Sequence, residues 1–221
     1  MFNIKSLKRS AAVLAVVMSA AVMFSGCKGT STVDDDNALV DAIKAQDAAN
    51  AAKANDAVIH NFEMPEIGEK IAVITVKDYG DIKIKLFPEV ASKGVENFMG
   101  LAYMGYYDEL IFHRIISNFM IQGGDPKGNG TGGKSIWGDQ FDGGIPEGLY
   151  HFSGAVAYAN SGSTSTDGSQ FYIVNTPDGY LQNTCEELMQ YDPSKYSWAQ
   201  NVVEMYNEKG GTPFLDGSYT V

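Results

Sequence analysis

The chain has 221 residues, with 27 acidic against 16 basic side chains and a formal net charge of −11. A surface this acidic repels phosphate backbones and anionic headgroups, which excludes nucleic acid as a partner and a basic patch as a route to a membrane. Two cysteines and three histidines provide too little for a disulfide framework or a thiolate metal centre, and no His–carboxylate cluster at ligand spacing appears, so neither metal nor cofactor is expected.

At the amino end Lys5, Lys8 and Arg9 precede an apolar stretch, Ala11 to Phe24, too short and alanine-rich for a spanning helix. It ends in Phe-Ser-Gly-Cys at 24–27, similar to a bacterial lipoprotein signal, in which Cys27 becomes the lipidated first residue of the mature chain. Phe24 departs from the leucine or valine usual there, and the competing reading is a secretory signal with an incidental cysteine. With residues 1–27 removed, thirteen basic residues face 27 acidic ones, a net charge of −14. Attachment to a bilayer then rests on acyl chains on Cys27, which places the protein outside the cytoplasm at the cell envelope. Cys185, the only other thiol, has no histidine near it in sequence and reads as incidental.

Residues 28–60 are rich in Ala, Asp, Asn, Lys and Thr and cannot build a core, so they read as a tether with a marginal helix between Asn37 and Ala57. The globular part is expected over 61–221. Ile71 to Val76, a turn at 77–81, and Ile82, Ile84 and Leu86 alternating with lysines predict a β-hairpin. From Ala91 to Met104, Val95, Phe98, Met99 and Ala102 follow helical spacing, with Ser92 as the expected cap. Short strands follow at Phe112–Ile115, Phe119–Gln122, Ala155–Tyr158 and Phe171–Val174, a spacing that suggests a closed antiparallel barrel. Residues 178–211 interrupt it as an insertion in which Val202, Val203 and Tyr206 form one helical face. It either shapes substrate access or caps the surface.

Phe112 to Asp125 reads Phe-His-Arg-Ile-Ile-Ser-Asn-Phe-Met-Ile-Gln-Gly-Gly-Asp, setting one cation, Arg114, among apolar side chains and the amide of Gln122. A donor fixed in an apolar pocket suits a twisted prolyl amide, whose nitrogen regains a lone pair at the top of a barrier of about 18–20 kcal/mol. Together with Gly-Thr-Gly-Gly-Lys-Ser at 130–135, Tyr-Ala-Asn at 158–160 and Gly-Ser-Gln-Phe-Tyr-Ile-Val at 168–174, this run resembles the cyclophilin family of peptidyl-prolyl isomerases. The likeness extends from about Glu69 to Pro177 and resumes at Thr212. It implies a mainly β fold, an eight-stranded antiparallel barrel with a helix over each end. The family's closing strand pair and second helix have no counterpart before Val221, which leaves an incomplete record, an early stop or an open barrel.

The resemblance implies catalysis by Arg114, aided by Gln122, and a proline pocket of Phe119, Met120, Tyr172, Phe214, Leu215 and Tyr219. Tyr172 stands where phenylalanine is usual, so that its hydroxyl narrows or wets the pocket; Phe214 replaces a frequent tryptophan and Tyr219 a common histidine. Gly130, Ala159, Asn160 and Gln170 would complete the substrate groove, with the Asn160 backbone pairing to the peptide before its proline. The loop from Asn160 to Gln170 is one residue longer than the family pattern. Gly128 to Ser135 also fits a phosphate-loop pattern, but the glycines and proline that follow Lys134 prevent the helix that such a loop needs, so no nucleotide is expected. Isomerisation moves no proton, so His113, His60 and His151 read as packing and hydrogen-bonding residues. The function implied is a monomeric, lipid-anchored isomerase acting on proline-containing polypeptides as they fold outside the cell membrane. The alternative is a catalytically silent, cyclophilin-like lipoprotein that holds such segments.

Overall fold

A computed structural model describes Lys44 and residues 56–180 and 183–221. The signal segment, the lipidation site at Cys27 and all of the expected tether helix except Lys44, Asp56 and Ala57 lie outside the described residues. Among the described residues no helix is long and apolar enough to cross a membrane.

The expected hairpin forms from β1 (Ile71–Val76) and β2 (Gly80–Lys85), antiparallel, with Ile74 opposite Ile82 and Ala72 opposite Ile84. One face of the pair packs inward through Ala72, Ile74, Ile82 and Ile84, while Ile71 and Val73 stay exposed. Helix α1 (Ser92–Tyr103) buries Asn97, Phe98 and Leu101. Ser92 is its first helical residue and not its cap; Ala91 holds that place, with no side-chain hydrogen bond.

Four short strands follow: β3 (Arg114–Ile116), β4 (Met120–Gly123), β5 (Val156–Tyr158) and β6 (Phe171–Val174). They form one antiparallel sheet in the order β3-β4-β6-β5. Strand β6 is buried on both faces. Phe171 and Ile173 join Phe98, Phe141 and Tyr158 in one core; Tyr172 and Val174 join Met120 and Ala157 in another.

Among the described residues the strands do not close into a barrel. Six strands are present among the described residues, and the β1–β2 hairpin remains a separate two-stranded sheet. On the edge of β5 that faces away from β6, the described residues make a single main-chain bond, from Tyr158 N–H to the Thr220 carbonyl at 2.8 Å. A hollow of about 310 Å³ is lined by Ile84, Leu86, Phe98, Val156, Ile173 and Val221 among others.

The 178–211 insertion contains two helices, α2 (Cys185–Tyr191) and α3 (Gln200–Lys209). Thr184 caps α2 in a reciprocal box with Glu187, which satisfies two otherwise free amide donors. Val202, Val203 and Tyr206 form the buried face of α3, as their spacing predicts, and pack with Phe152 and Cys185. The expected tether ends earlier than residue 60. Ala57 exchanges two hydrogen bonds with the Asn201 side chain, at 3.1 and 2.8 Å, Ala57 and Ile59 pack on this cluster, and His60 N–H bonds the Gly148 carbonyl at 2.8 Å. Two apolar side chains and three satisfied backbone groups are enough to dock residues whose composition alone suggests a free segment.

Candidate active site

Cross-strand register assembles the candidate residues. Arg114 lies opposite Gln122, Gln122 opposite Tyr172, and Tyr172 opposite Ala157, so one row crosses all four strands and its side chains share a face. Met120 precedes Gln122 by two residues and shares that face.

Along the row the polar groups form a directed chain. The Arg114 guanidinium donates to Gln122 Oε1 at 3.4 Å and contacts Met120 Sδ at 3.9 Å. Gln122 Nε2 donates to Gln170 Oε1 at 2.9 Å, and Gln170 Nε2 donates to the carbonyls of Gly132 at 2.7 Å and Gly130 at 3.1 Å. Each amide accepts on one side and donates on the other, so both orientations follow from the cation at one end and the carbonyls at the other.

The glycine loop is shaped by Asp125, which is 1% exposed and accepts from the backbone N–H groups of Lys127, Asn129 and Gly130 at 2.6–3.0 Å. Burial by itself raises the Asp125 pKa, but these amides and that of Gly132 more than offset it and hold the carboxyl below its usual range. Gly130 has φ 86°, and a Cβ on Gly132 would overlap Asp125 Oδ1, so neither position accepts another residue without strain. No helix starts at Lys134, and the phosphate-loop pattern is without its anion site.

Beside this loop lies a groove of about 220 Å³, lined by Gln122, Gly130, Ala159, Asn160, Gln170 and neighbouring residues. The Asn160 side chain is tied to the Ser218 carbonyl at 3.1 Å and to Gly162 N–H at 3.0 Å. Its own backbone N–H and C=O carry no main-chain bond among the described residues. On the other side of Gln122 the expected apolar residues meet: Met120 and Tyr172 with Phe119, Leu215 and Tyr219, while Phe214 stacks on Phe119 at 6.0 Å.

Two expectations are corrected. Arg114 is exposed and not enclosed, because β3 is a three-residue edge strand whose neighbours Ile115 and Ile116 also face solvent. The apolar residues adjacent in sequence are not adjacent to the guanidinium in space; Phe112 packs into the core on the far side of the sheet. The Tyr172 hydroxyl neither narrows nor wets the apolar side, since it is bonded to His151 Nε2 at 2.9 Å and buried.

His113, read from the sequence as a packing and hydrogen-bonding residue, has both ring nitrogens buried without a partner among the described residues, whereas His151, read the same way, is 0% exposed and bonded at both ring nitrogens. Its other partner, Asp216, was not anticipated, and no local motif marks it, because the residues that converge on it are 10, 18 and 65 positions away. The Cys185 thiol is buried and its pKa is pushed up to about 12, chiefly by that burial, which removes it from nucleophilic chemistry at neutral pH.

Comparison with known proteins decides the family. The profile of cyclophilin type peptidyl-prolyl cis-trans isomerases matches residues 71–221. The chain belongs to the cyclophilin family. A protein of Staphylococcus aureus strain USA300, named peptidyl-prolyl cis-trans isomerase, is 45% identical over 152 residues, which cover 69% of this chain and 74% of the relative. A Streptococcus pyogenes protein named bifunctional phosphatase/peptidyl-prolyl cis-trans isomerase is 45% identical over 154 residues; the match covers 70% of this chain and only 31% of that longer protein. A Cryptosporidium parvum cyclophilin crystallised in the presence of the dipeptide Ala-Pro shares 34% identity over 68% of this chain and 75% of its own, with a TM-score of 0.49.

Proposed function

We propose that this cyclophilin catalyses cis–trans isomerisation of Xaa-Pro bonds in exported polypeptides, outside the cell membrane, held there by lipid on Cys27. The observation that carries the enzymatic part is the row Arg114–Gln122–Gln170, a cation aligned by two amides beside a groove and next to an apolar cluster.

In this reading the proline ring rests on Phe119, Met120, Tyr172, Phe214, Leu215 and Tyr219. The residues before it lie along Gly130, Ala159 and Asn160, pairing with the Asn160 backbone. Arg114 donates to the prolyl nitrogen only in the twisted state, so the interaction favours the transition state over both planar ground states. A charge-assisted hydrogen bond contributes about 1.5–3 kcal/mol, and each 1.36 kcal/mol is about tenfold in rate. Because Arg114 is open to solvent in the free protein, the bound peptide itself supplies the water exclusion that strengthens the bond. No proton changes place and no metal or cofactor takes part.

A silent peptide-holding role is favoured by one observation, the long 3.4 Å bond that leaves the guanidinium loosely held. The two readings separate in one experiment on an Ala-Pro peptide: binding with accelerated isomerisation supports the enzyme, and binding without it supports the holder. Anchoring is tested by labelled fatty acid, which Cys27→Ser should fail to incorporate while the protein leaves the membrane fraction.

A further inference from the structure

The inserted helices are connected to the apolar side of the site by a continuous set of hydrogen bonds. Trp198, between α2 and α3, donates from Nε1 to Asp216 Oδ2 at 2.9 Å, and Tyr206 on α3 donates its hydroxyl to the same oxygen at 2.7 Å. Asp216 Oδ1 accepts from the His151 backbone N–H at 3.0 Å and from His151 Nδ1 at 2.7 Å. A carboxylate has only acceptors to offer, so Nδ1 carries the proton. In the neutral ring Nε2 is then the acceptor, and the Tyr172 hydroxyl, 2.9 Å away, is the donor. The Tyr172 ring stacks on His151 at 6.0 Å and meets Tyr219 edge-on at 5.7 Å.

We propose that the helical insertion is a substrate-positioning element: through Asp216 and His151 it fixes the Tyr172 ring, and so sets how tightly the site grips the proline of a bound peptide. The inference rests on the reading of Tyr172 as a wall of the proline pocket. Asp216 and His151 are positioning residues and touch no substrate. Carboxylate, imidazole and hydroxyl stand in the order of a nucleophilic triad, but Tyr172 is 5% exposed and its hydroxyl is sealed against a fully buried His151, out of reach of a peptide. The network therefore acts on binding, where ring position matters, and not on the twisted amide, where Arg114 acts.

The test removes the insertion's two donors and leaves an aromatic ring at each position. Trp198→Phe with Tyr206→Phe should raise KM for an Ala-Pro peptide about three- to tenfold and leave kcat within about twofold, as coupled hydrogen-bond partners do. In a Tyr172→Phe background, with no hydroxyl left to position, the same pair should change KM by less than about 1.5-fold. An equal rise in both backgrounds overturns the proposal and makes the helices general support for the fold, as does an unchanged KM in the Tyr172 protein. Should the pair fail to fold, Trp198→Phe alone is compared in the two backgrounds with the same criterion. Calorimetric affinity for the peptide reads the coupling independently of turnover, so a protein that binds but does not isomerise overturns the enzymatic reading and leaves this inference to its own result.

Discussion

Arg114→Ala separates chemistry from folding. The guanidinium is exposed, and its two contacts, 3.4 Å to Gln122 Oε1 and 3.9 Å to Met120 Sδ, are long, so their loss should cost the fold no more than the roughly 0.5 kcal/mol typical of surface substitutions. In the proposed transition state the same group would supply one charge-assisted bond of about 1.5–3 kcal/mol, so its removal should cost about ten- to 150-fold in kcat/KM. Arg114→Lys keeps the charge and loses the planar fork that spans Gln122 and the prolyl nitrogen, so it should recover only part of the rate. The assay is isomerisation of an Xaa-Pro peptide followed after a solvent jump, with thermal melting as the fold control. A drop smaller than about threefold with an intact fold would refute the role given to this residue, since it corresponds to less than the weakest such bond.

Two further outcomes are expected. Gln170→Met severs the chain between Gln122 and the Gly130 and Gly132 carbonyls; kcat/KM should fall while the melting temperature moves little, and an unchanged rate would show that Arg114 needs no alignment through Gln170. Asp167 is 0% exposed and its pKa is pushed up to about 6, mainly by burial, against which the Thr220 hydroxyl pulls at 2.7 Å. A carboxyl with a raised folded pKa favours the fold when protonated; that contribution is complete below the ordinary carboxylate value near 3.8 and is lost as pH rises through about 6. Chemical denaturation across pH 4–8 should show stability falling through this window, less so in Asp167→Asn, and a variant with the same slope would contradict the assignment.

Much of the fold was legible because alternation and helical spacing are local signals. Ile82 and Ile84 announce a strand with one buried face, and Val202, Val203 and Tyr206 announce the buried stripe of a helix. Barrel closure was not legible, because it depends on which strands meet at the edges of β2 and β5 and not on any strand's own pattern. The burial of Arg114 was misjudged for a related reason. Sequence neighbours such as Ile115 suggest an apolar setting, but on a short edge strand they point to solvent, and the guanidinium's real neighbours, Met120 and Gln122, reach it across the sheet. The Asp216 hub was invisible, since four donors brought from three segments leave no mark on the residues beside it. Of the residues read through the resemblance, register aligns Arg114, Gln122 and Tyr172 in one row.

In the proposed catalysis a cation on one edge strand favours the twisted prolyl bond over either planar form. Exchange spectroscopy on an Ala-Pro peptide, with the wild-type protein at catalytic concentration, measures this directly by resolving the cis and trans signals. Interconversion is expected on a timescale of seconds or less, against the tens to hundreds of seconds of the free peptide. Shifted peptide signals showing binding, with an exchange rate equal to that of peptide alone, would contradict it.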